Sequence, residues 1–329
     1  RIGYGKIIGS MEMTDSIQQA TLYGNYGEMF RDGEYGYVTD SALMVDWSDS
    51  TAYGYIHADT LYTEAIAYRI QHLVERDSML IDSVLTAVAP DTVWQDSTYR
   101  QIRAFHNVRV YREDMQAVCD SVRYNGKDSI MTLYTDPVCW SDENQISADT
   151  IHIYMRNGVV DYAHGIGNAL TIKQETALYY DQMAGKEMIA YIREGELAQV
   201  DVNGNALTIF FPKDDDGSFI GVNTTQSSFV KVFLANQKIH HILFTAQTTG
   251  VLYPLDQVPS GTDRLGGFFW AEKERPIRPA DVFDHPERTP RPTNGAVSAT
   301  ATKPQDDSAD KSEEYTPHER SSRKLKNTK

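Results

Sequence analysis

The chain has 329 residues, 46 acidic against 31 basic, with 41% hydrophobic residues and a mean hydropathy of -0.46. Its formal net charge of -15 excludes a general nucleic-acid binder, which needs clustered Lys and Arg to neutralise phosphates. No run reaches the roughly 18 apolar residues of a membrane-spanning helix, and the length suffices for one large or two ordinary domains.

The chain opens at Arg1 with neither an initiator Met nor a charged-then-apolar leader, so its start reads as a boundary or a processing site. Twenty Tyr and 11 Phe are spread among polar residues, as in strands with one buried face. Between residues 1 and 150, Asp followed by Ser or Thr occurs eleven times: at Asp15, Asp40, Asp49, Asp59, Asp77, Asp82, Asp91, Asp96, Asp120, Asp128 and Asp149. These side chains bond nearby backbone and fix turns, so the pattern predicts corners of a stacked β-structure, not catalytic acids. From Glu64 to Leu85 the spacing of Ile66, Ile70, Leu73 and Val74 predicts a short helical insertion over 64–85. Cys119 and Cys139 lack CxxC or Cys–His spacing, so no metal is expected; they are either a disulfide between adjacent rungs or two small buried hydrophobes.

The strongest internal signal is a repeat. Gly167-Asn168-Ala169-Leu170-Thr171-Ile172 recurs letter for letter as Gly204-Asn205-Ala206-Leu207-Thr208-Ile209, a shift of 37, and a fainter third copy begins at Val230. Within each copy apolar and polar residues alternate, and turn signals follow at Asn157-Gly158, Glu194-Gly195 and Asn236-Gln237. The apolar positions are Ile151, Ile153, Met155, Leu170 and Ile172, then Met188, Ala190, Ile192, Leu207 and Ile209, then Val230, Val232 and Leu234. Stacked copies would align them into one inward strip. That strip serves either as a filled core or as a groove for acyl chains, which aliphatic surface binds at about 0.8 kcal/mol per buried methylene. From His285 to the end, nine basic and seven acidic residues give +2, leaving -17 for residues 1–284. Five of the 12 prolines lie there with few large apolar residues, so 276–329 is expected to be a disordered, Pro-rich and charged tail.

One run begins Ile102-Arg103-Ala104-Phe105-His106-Asn107-Val108-Arg109-Val110-Tyr111 and continues from Asp114 to Tyr124. It is followed by Asp136-Pro137-Val138-Cys139-Trp140, Asn144 to Ile151, Val200 to Ala206, and Gly221-Val222-Asn223 leading to Ser227-Ser228. In motif order these resemble the OstA-like (LptA/OstA) family of lipopolysaccharide-transport proteins, in its long Bacteroidota form, over roughly residues 5–275. The resemblance implies an all-β, periplasmic β-jellyroll or β-taco of stacked antiparallel strands. Residues 1–175 would form an OstA-like β-repeat module and 176–275 a continuing one. It implies a non-enzymatic carrier, with no cofactor, that holds lipid A acyl chains on the inward strip. Its partners would be lipopolysaccharide, other transport proteins met through exposed edge strands, the outer-membrane translocon, and further copies end to end. Family members usually carry another module upstream, so the chain reads as truncated at its start. Arg109, Arg112 and Arg156 are placed near the rim, towards an anionic headgroup.

Two other classes compete. A structural or adhesive β-solenoid would share the strands but have a closed interior. A polysaccharide-acting β-helix enzyme would need paired carboxylates or a calcium-bound acidic cluster. The nearest match, Asp214-Asp215-Asp216-Gly217, lacks the spaced ligands of a calcium loop and reads as an acidic hairpin turn. His240 and His241 fall on a strand and would point apart. There is no Gly-x-Ser-x-Gly, His-Glu-x-x-His or phosphate-binding Gly loop.

Overall fold

The computed structural model describes residues 3–16, 19–30, 34–74, 79–81, 84–86, 91–235 and 238–292. Sixteen strands form one antiparallel sheet in nearly sequential order. They are β1 (Tyr4–Asp15), β2 (Ala20–Phe30), β3 (Tyr35–Asp46), β4 (Gly54–Val74), β7 (Asp91–Tyr111), β8 (Gln116–Asn125), β9 (Ile130–Tyr134), β10 (Val138–Ser141), β11 (Asn144–Ser147), β12 (Thr150–Arg156), β13 (Val159–Gln174), β14 (Tyr180–Arg193), β15 (Glu196–Phe210), β16 (Val222–Ala235), β17 (Lys238–Thr245) and β18 (Thr249–Tyr253). Two short strands, β5 (Met79–Ile81) and β6 (Val84–Thr86), pair with each other. The described residues contain three short 3-10 turns and no α-helix, in agreement with the all-β expectation.

A row of bends crosses the long strands near their middles. The register slips at Thr39/Ala42, Phe105/Val108, Ile166/Ala169 and Asn203/Ala206. At each slip two consecutive residues take left-handed backbone: Asp40–Ser41, His106–Asn107, Gly167–Asn168 and Gly204–Asn205. Such bulges turn a strand sharply, and Asn, Asp and Gly tolerate positive φ. The corners are stitched across strands, since Asn107 Nδ2 donates to Asp59 and Asn168 Nδ2 donates to Asp149, at 3.1–3.2 Å. Four of the eleven Asp-Ser/Thr pairs, at Asp40, Asp59, Asp120 and Asp149, therefore mark this corner row. Asp91 and Asp96 lie instead within β7, and Asp77 and Asp82 lie outside the described residues.

The bends fold the sheet into two legs. Inward side chains of both meet in one cluster that includes Val38, Leu61, Val110, Cys119, Leu133, Ile151, Met188, Val202 and Val232. Each such side chain contributes roughly 1.5–3 kcal/mol by leaving water. Cys119 and Cys139 are free, buried thiols on this inner side, and burial pushes Cys139 up to about 12.

Two expectations are corrected. Residues 64–74 are strand, not helix: β4 and β7 stay paired from Ala65↔Arg100 to Val74↔Asp91 and project past the tip of their leg as a β-arm. Ile66, Tyr68 and Ile70 also fit a period of two, and a cross-strand partner, including the Tyr68–Tyr99 ring pair at 5.6 Å, decides for strand. Parts of the expected insertion (75–78 and 82–83) lie outside the described residues, as does the Asn236-Gln237 turn. The expected tail does not begin at 276, because residues 276–292 are packed on the sheet. Residues 293–329 lie outside the described residues.

Candidate functional site: an interior strip, its seam and an outer strap

The inner strip collects nine of the thirteen predicted positions. Ile151, Ile153, Met188, Val230 and Val232 are fully buried in the inner cluster, and Met155 and Leu234 pack partly buried against it. Ala190 and Ile192 line a small cavity of about 60 Å³ near the leg tips, with Cys139, Ile146, Ile153 and Leu197. Leu170, Ile172, Leu207 and Ile209 are not on this strip. They form a second cluster on the outer face of one leg, with Ala184, Phe211, Val222 and Leu265. Plain alternation from Ala169 and Ala206, which do face inward, puts them outside. The sequence hid this because that leg is apolar on both faces.

The cause is a strap. After β18 the chain turns back, and residues 254–292 run across the outer face of this leg from β16 towards β4. Buried polar side chains of the sheet hold its backbone. The Gln182 amide donates to Asp263 O (2.9 Å) and accepts from Leu265 N (2.8 Å). The Gln145 amide donates to Phe269 O (2.9 Å) and accepts from Ala271 N (2.8 Å). Each amide thus brackets two alternate strap residues, as a neighbouring strand would. Arg275 Nε donates to Gln116 Oε1 at 2.8 Å, and Arg109 Nε donates to Asp281 O at 3.1 Å. Trp140, Val118 and Val138 pack beneath Phe269 and Ala271. Glu274, 1% exposed, accepts from Thr289 N at 2.8 Å and from the Arg291 fork at 3.0 and 3.1 Å, tying the strap to itself. The strap reaches as far as β4, where Phe283 and His285 lie on His57 with ring centroids 4.7 and 5.6 Å away, and then turns back, Arg288 Nη2 donating to Cys119 O of β8 at 3.0 Å. Burial pushes the His57 imidazole below the usual histidine range.

This element was missed in the sequence, although one signal could have found it. Gln145 and Gln182 are also separated by 37, so extending the repeat six residues upstream of Ile151 pairs them.

The seam between the leg tips is closed by two inward-facing arginines. Arg112 Nη1 donates to Gly158 O of the opposite leg at 3.0 Å and pairs with Asp49 and Asp114 at 3.4 and 2.8 Å. Arg100 Nη2, at the base of the β-arm, pairs across the seam with Asp15 at 3.2 Å. Of the three arginines expected at the rim, Arg112 is there. Arg109 is buried under the strap, and Arg156 pairs with Asp161 at 2.7 Å in the open. Beside Arg100, a cavity of about 310 Å³ continues the interior strip towards β1, lined by Met13, Leu22, Met29, Met44 and Ile102.

Elsewhere the candidates are structural. Asp214 to Gly217 form the expected acidic turn, with Gly217 at positive φ and Ser218 N donating to Asp216 at 2.8 Å. His240 and His241 do not point apart; their Nδ1 atoms lie 2.8 Å from each other. A register shift between Phe233↔His241 and Leu234↔Ile239 leaves His240 in a bulge and brings both rings to one side. Among the described residues no group of three or more His, Cys, Asp or Glu is placed to hold a metal ion.

No protein-family model matches the chain, and no curated protein matches it. Among solved structures the chain is similar to LptH of Pseudomonas aeruginosa, described as the LptA-homologous periplasmic component of the conserved lipopolysaccharide transport device. The match has 12% identity and a TM-score of 0.33, and covers 43% of this chain and 99% of that one.

Proposed function

We propose that the protein is a non-enzymatic, periplasmic carrier of an amphiphile of the lipopolysaccharide class, of the long Bacteroidota OstA-like type, holding acyl chains between its two legs. The observation that carries this is the interior itself: a continuous apolar strip between two legs that are joined at a bent corner and closed at the tips by side-chain bonds. Aliphatic walls hold acyl chains without directional bonds, and a seam closed by Arg112 and Arg100 can part without breaking the sheet. The order of family-like motifs along the sequence supports the same reading.

Partners would join at the sheet ends. β1 exposes Ile7 and Ile8 at one end, and β17 and β18 expose Leu243, Val251 and Leu252 at the other. Such edges accept a further strand from another transport protein or a second copy.

Photo-crosslinking in the native cell tests the proposal, with probes at Ile153, Ala190 and Val232 and controls at His152, Ile189 and Lys231 on the opposite face. A lipopolysaccharide adduct confined to the first set is expected. A folded, correctly located protein with no adduct at any position would make the strip a closed core and the protein a structural module.

A further inference from the structure

The interior is not uniform along its length. Where the strap covers the sheet, from β16 to β4, the inner strip is mostly aliphatic, with Met115, Met131, Met155, Met183 and Met188 scattered along it, and its cavity by the leg tips is only about 60 Å³. Beyond the strap's reach, under β1 to β3, methionine takes a larger share of the lining, where Met11, Met13 and Met44 stand beside Ala20, Leu22, Val38 and Ala42. Four of the chain's ten methionines (Met11, Met13, Met29 and Met44) lie in the first 46 residues, and all but Met29 belong to or pack on the inner cluster. Gly27 and Gly36 leave the space that Met11 and Met29 occupy, since a Cβ at either would overlap the methionine sulfur. Methionine is unbranched and soft, and it reshapes around varied apolar ligands where β-branched residues do not.

The cavity of about 310 Å³ lies in this stretch and is lined by Met13, Met29 and Met44. Arg100 also lines it, at its mouth, about a quarter exposed and paired with Asp15. A body with a net charge of -17 therefore places a cation where an apolar interior cavity meets the seam. Arg100 Nη1 also donates to Glu34 O at 3.5 Å, and Arg100 and Asp15 come from opposite legs, so an anion that took the place of the Asp15 carboxylate would satisfy the guanidinium and remove one tie across the seam.

We infer that the unstrapped end of the interior is the loading site, taking a single-chain anionic amphiphile whose acyl chain enters the methionine-lined cavity while its carboxylate or phosphate head displaces Asp15 from Arg100. This rests on the reading of the interior as an amphiphile carrier and locates where entry begins.

The test is methyl NMR of the full chain with labelled methionine methyls, titrated with dodecanoate, dodecyl phosphate, dodecanol, dodecyltrimethylammonium and inorganic phosphate alone. Dodecanoate and dodecyl phosphate are expected to shift Met13, Met29 and Met44 and to leave Met183 unmoved, the tighter of the two naming the head. Dodecanol should bind about tenfold more weakly, the loss of one charge-assisted contact, the cationic amphiphile more weakly still, and inorganic phosphate should shift none of these methyls. Arg100→Gln should erase the preference for anions while dodecanol still binds, which shows the variant folded. Arg100→Lys should restore part of it, and Asp15→Asn should increase it. Shifts confined to Met115, Met155 and Met188, or an anion preference that survives Arg100→Gln, would overturn the loading site and leave the carrier reading standing. Equal shifts from inorganic phosphate alone would replace it with a simple anion site. No shift from any amphiphile would remove both.

Discussion

Between β4 and β16, one leg of the sheet is covered on both faces, inside by the opposite leg and outside by the strap. Under β1 to β3 the same leg is covered, among the described residues, from inside, and there the interior holds a cavity of about 310 Å³ lined by Met13, Met29 and Met44. One bent sheet thus combines a stretch packed on both faces with a stretch that leaves room inside. The strap adds apolar burial and a row of bracketed backbone groups to one stretch, while the other keeps a methionine-lined cavity and a seam where Arg100 meets Asp15. The proposed carrier would use both: a scaffold that keeps its register and a mouth that yields.

The comparison can be broken most directly at the amide brackets. Gln145→Ala or Gln182→Ala leaves a strap carbonyl and N–H buried without partners, so each should cost roughly 2–4 kcal/mol, read as a drop in the urea midpoint. Unchanged midpoints would mean the strap rests on apolar contacts alone.

Packing distinguishes the two stretches next. Ile151→Ala, in the filled interior, should cost about 2–5 kcal/mol, whereas Met29→Ala, beside existing empty space, should cost under about 1 kcal/mol in the same urea series. Equal losses would show that the interior is uniformly packed.

Two pH effects of opposite sign sharpen the picture of the strapped stretch. Asp181 is half-buried in the strapped leg, its carboxylate accepting from Phe211 N at 2.9 Å, and desolvation pushes it up to about 7, with Glu175 adding to the rise and Lys173 and Lys213 opposing it. Its folded value lies above its unfolded one, so its contribution is present in acid and lost as pH rises through about 4 to 7. Asp181→Asn should therefore be a few kcal/mol more stable than the parent at pH 8, with the gap closing near pH 4.

His57 works the other way. Its folded value is depressed by burial, with His285 and Arg109 adding to the fall and the Ala42 carbonyl and Asp59 opposing it. Unfolded chains therefore bind the proton first, and stability falls as pH drops below about 6.5. Hydrogen-exchange protection factors at 279–285, corrected for the intrinsic rate at each pH, should fall between pH 7.5 and 5.5 in the parent and lose that dependence in His57→Gln. An unchanged profile in the variant would place the sensitivity elsewhere.

Much of this was legible in one dimension. The exact repeat of Gly167 to Ile172 at Gly204 to Ile209 encodes the corner, and the period of two at Ile151, Ile153 and Met155 encodes the inward face, because local backbone preference and strand alternation need no distant partner. The arm at 64–74 was misread because Ile66 and Ile70 fit both periods, and only the partner strand from 91 to 100 separates them.

What the sequence determined by itself is the all-β class, the bent repeat and the inner face, since each follows from spacing between near neighbours. What only the tertiary structure decided is the second apolar face and the residues that hold it. Leu170 and Leu207 look inward in the sequence because they are apolar, and face outward because Leu265 and Phe268 return from some 60–100 residues away to cover them. The amides of Gln145 and Gln182 have no visible purpose until that segment arrives, because a bracket on a backbone is a property of two chain segments and is written in neither alone.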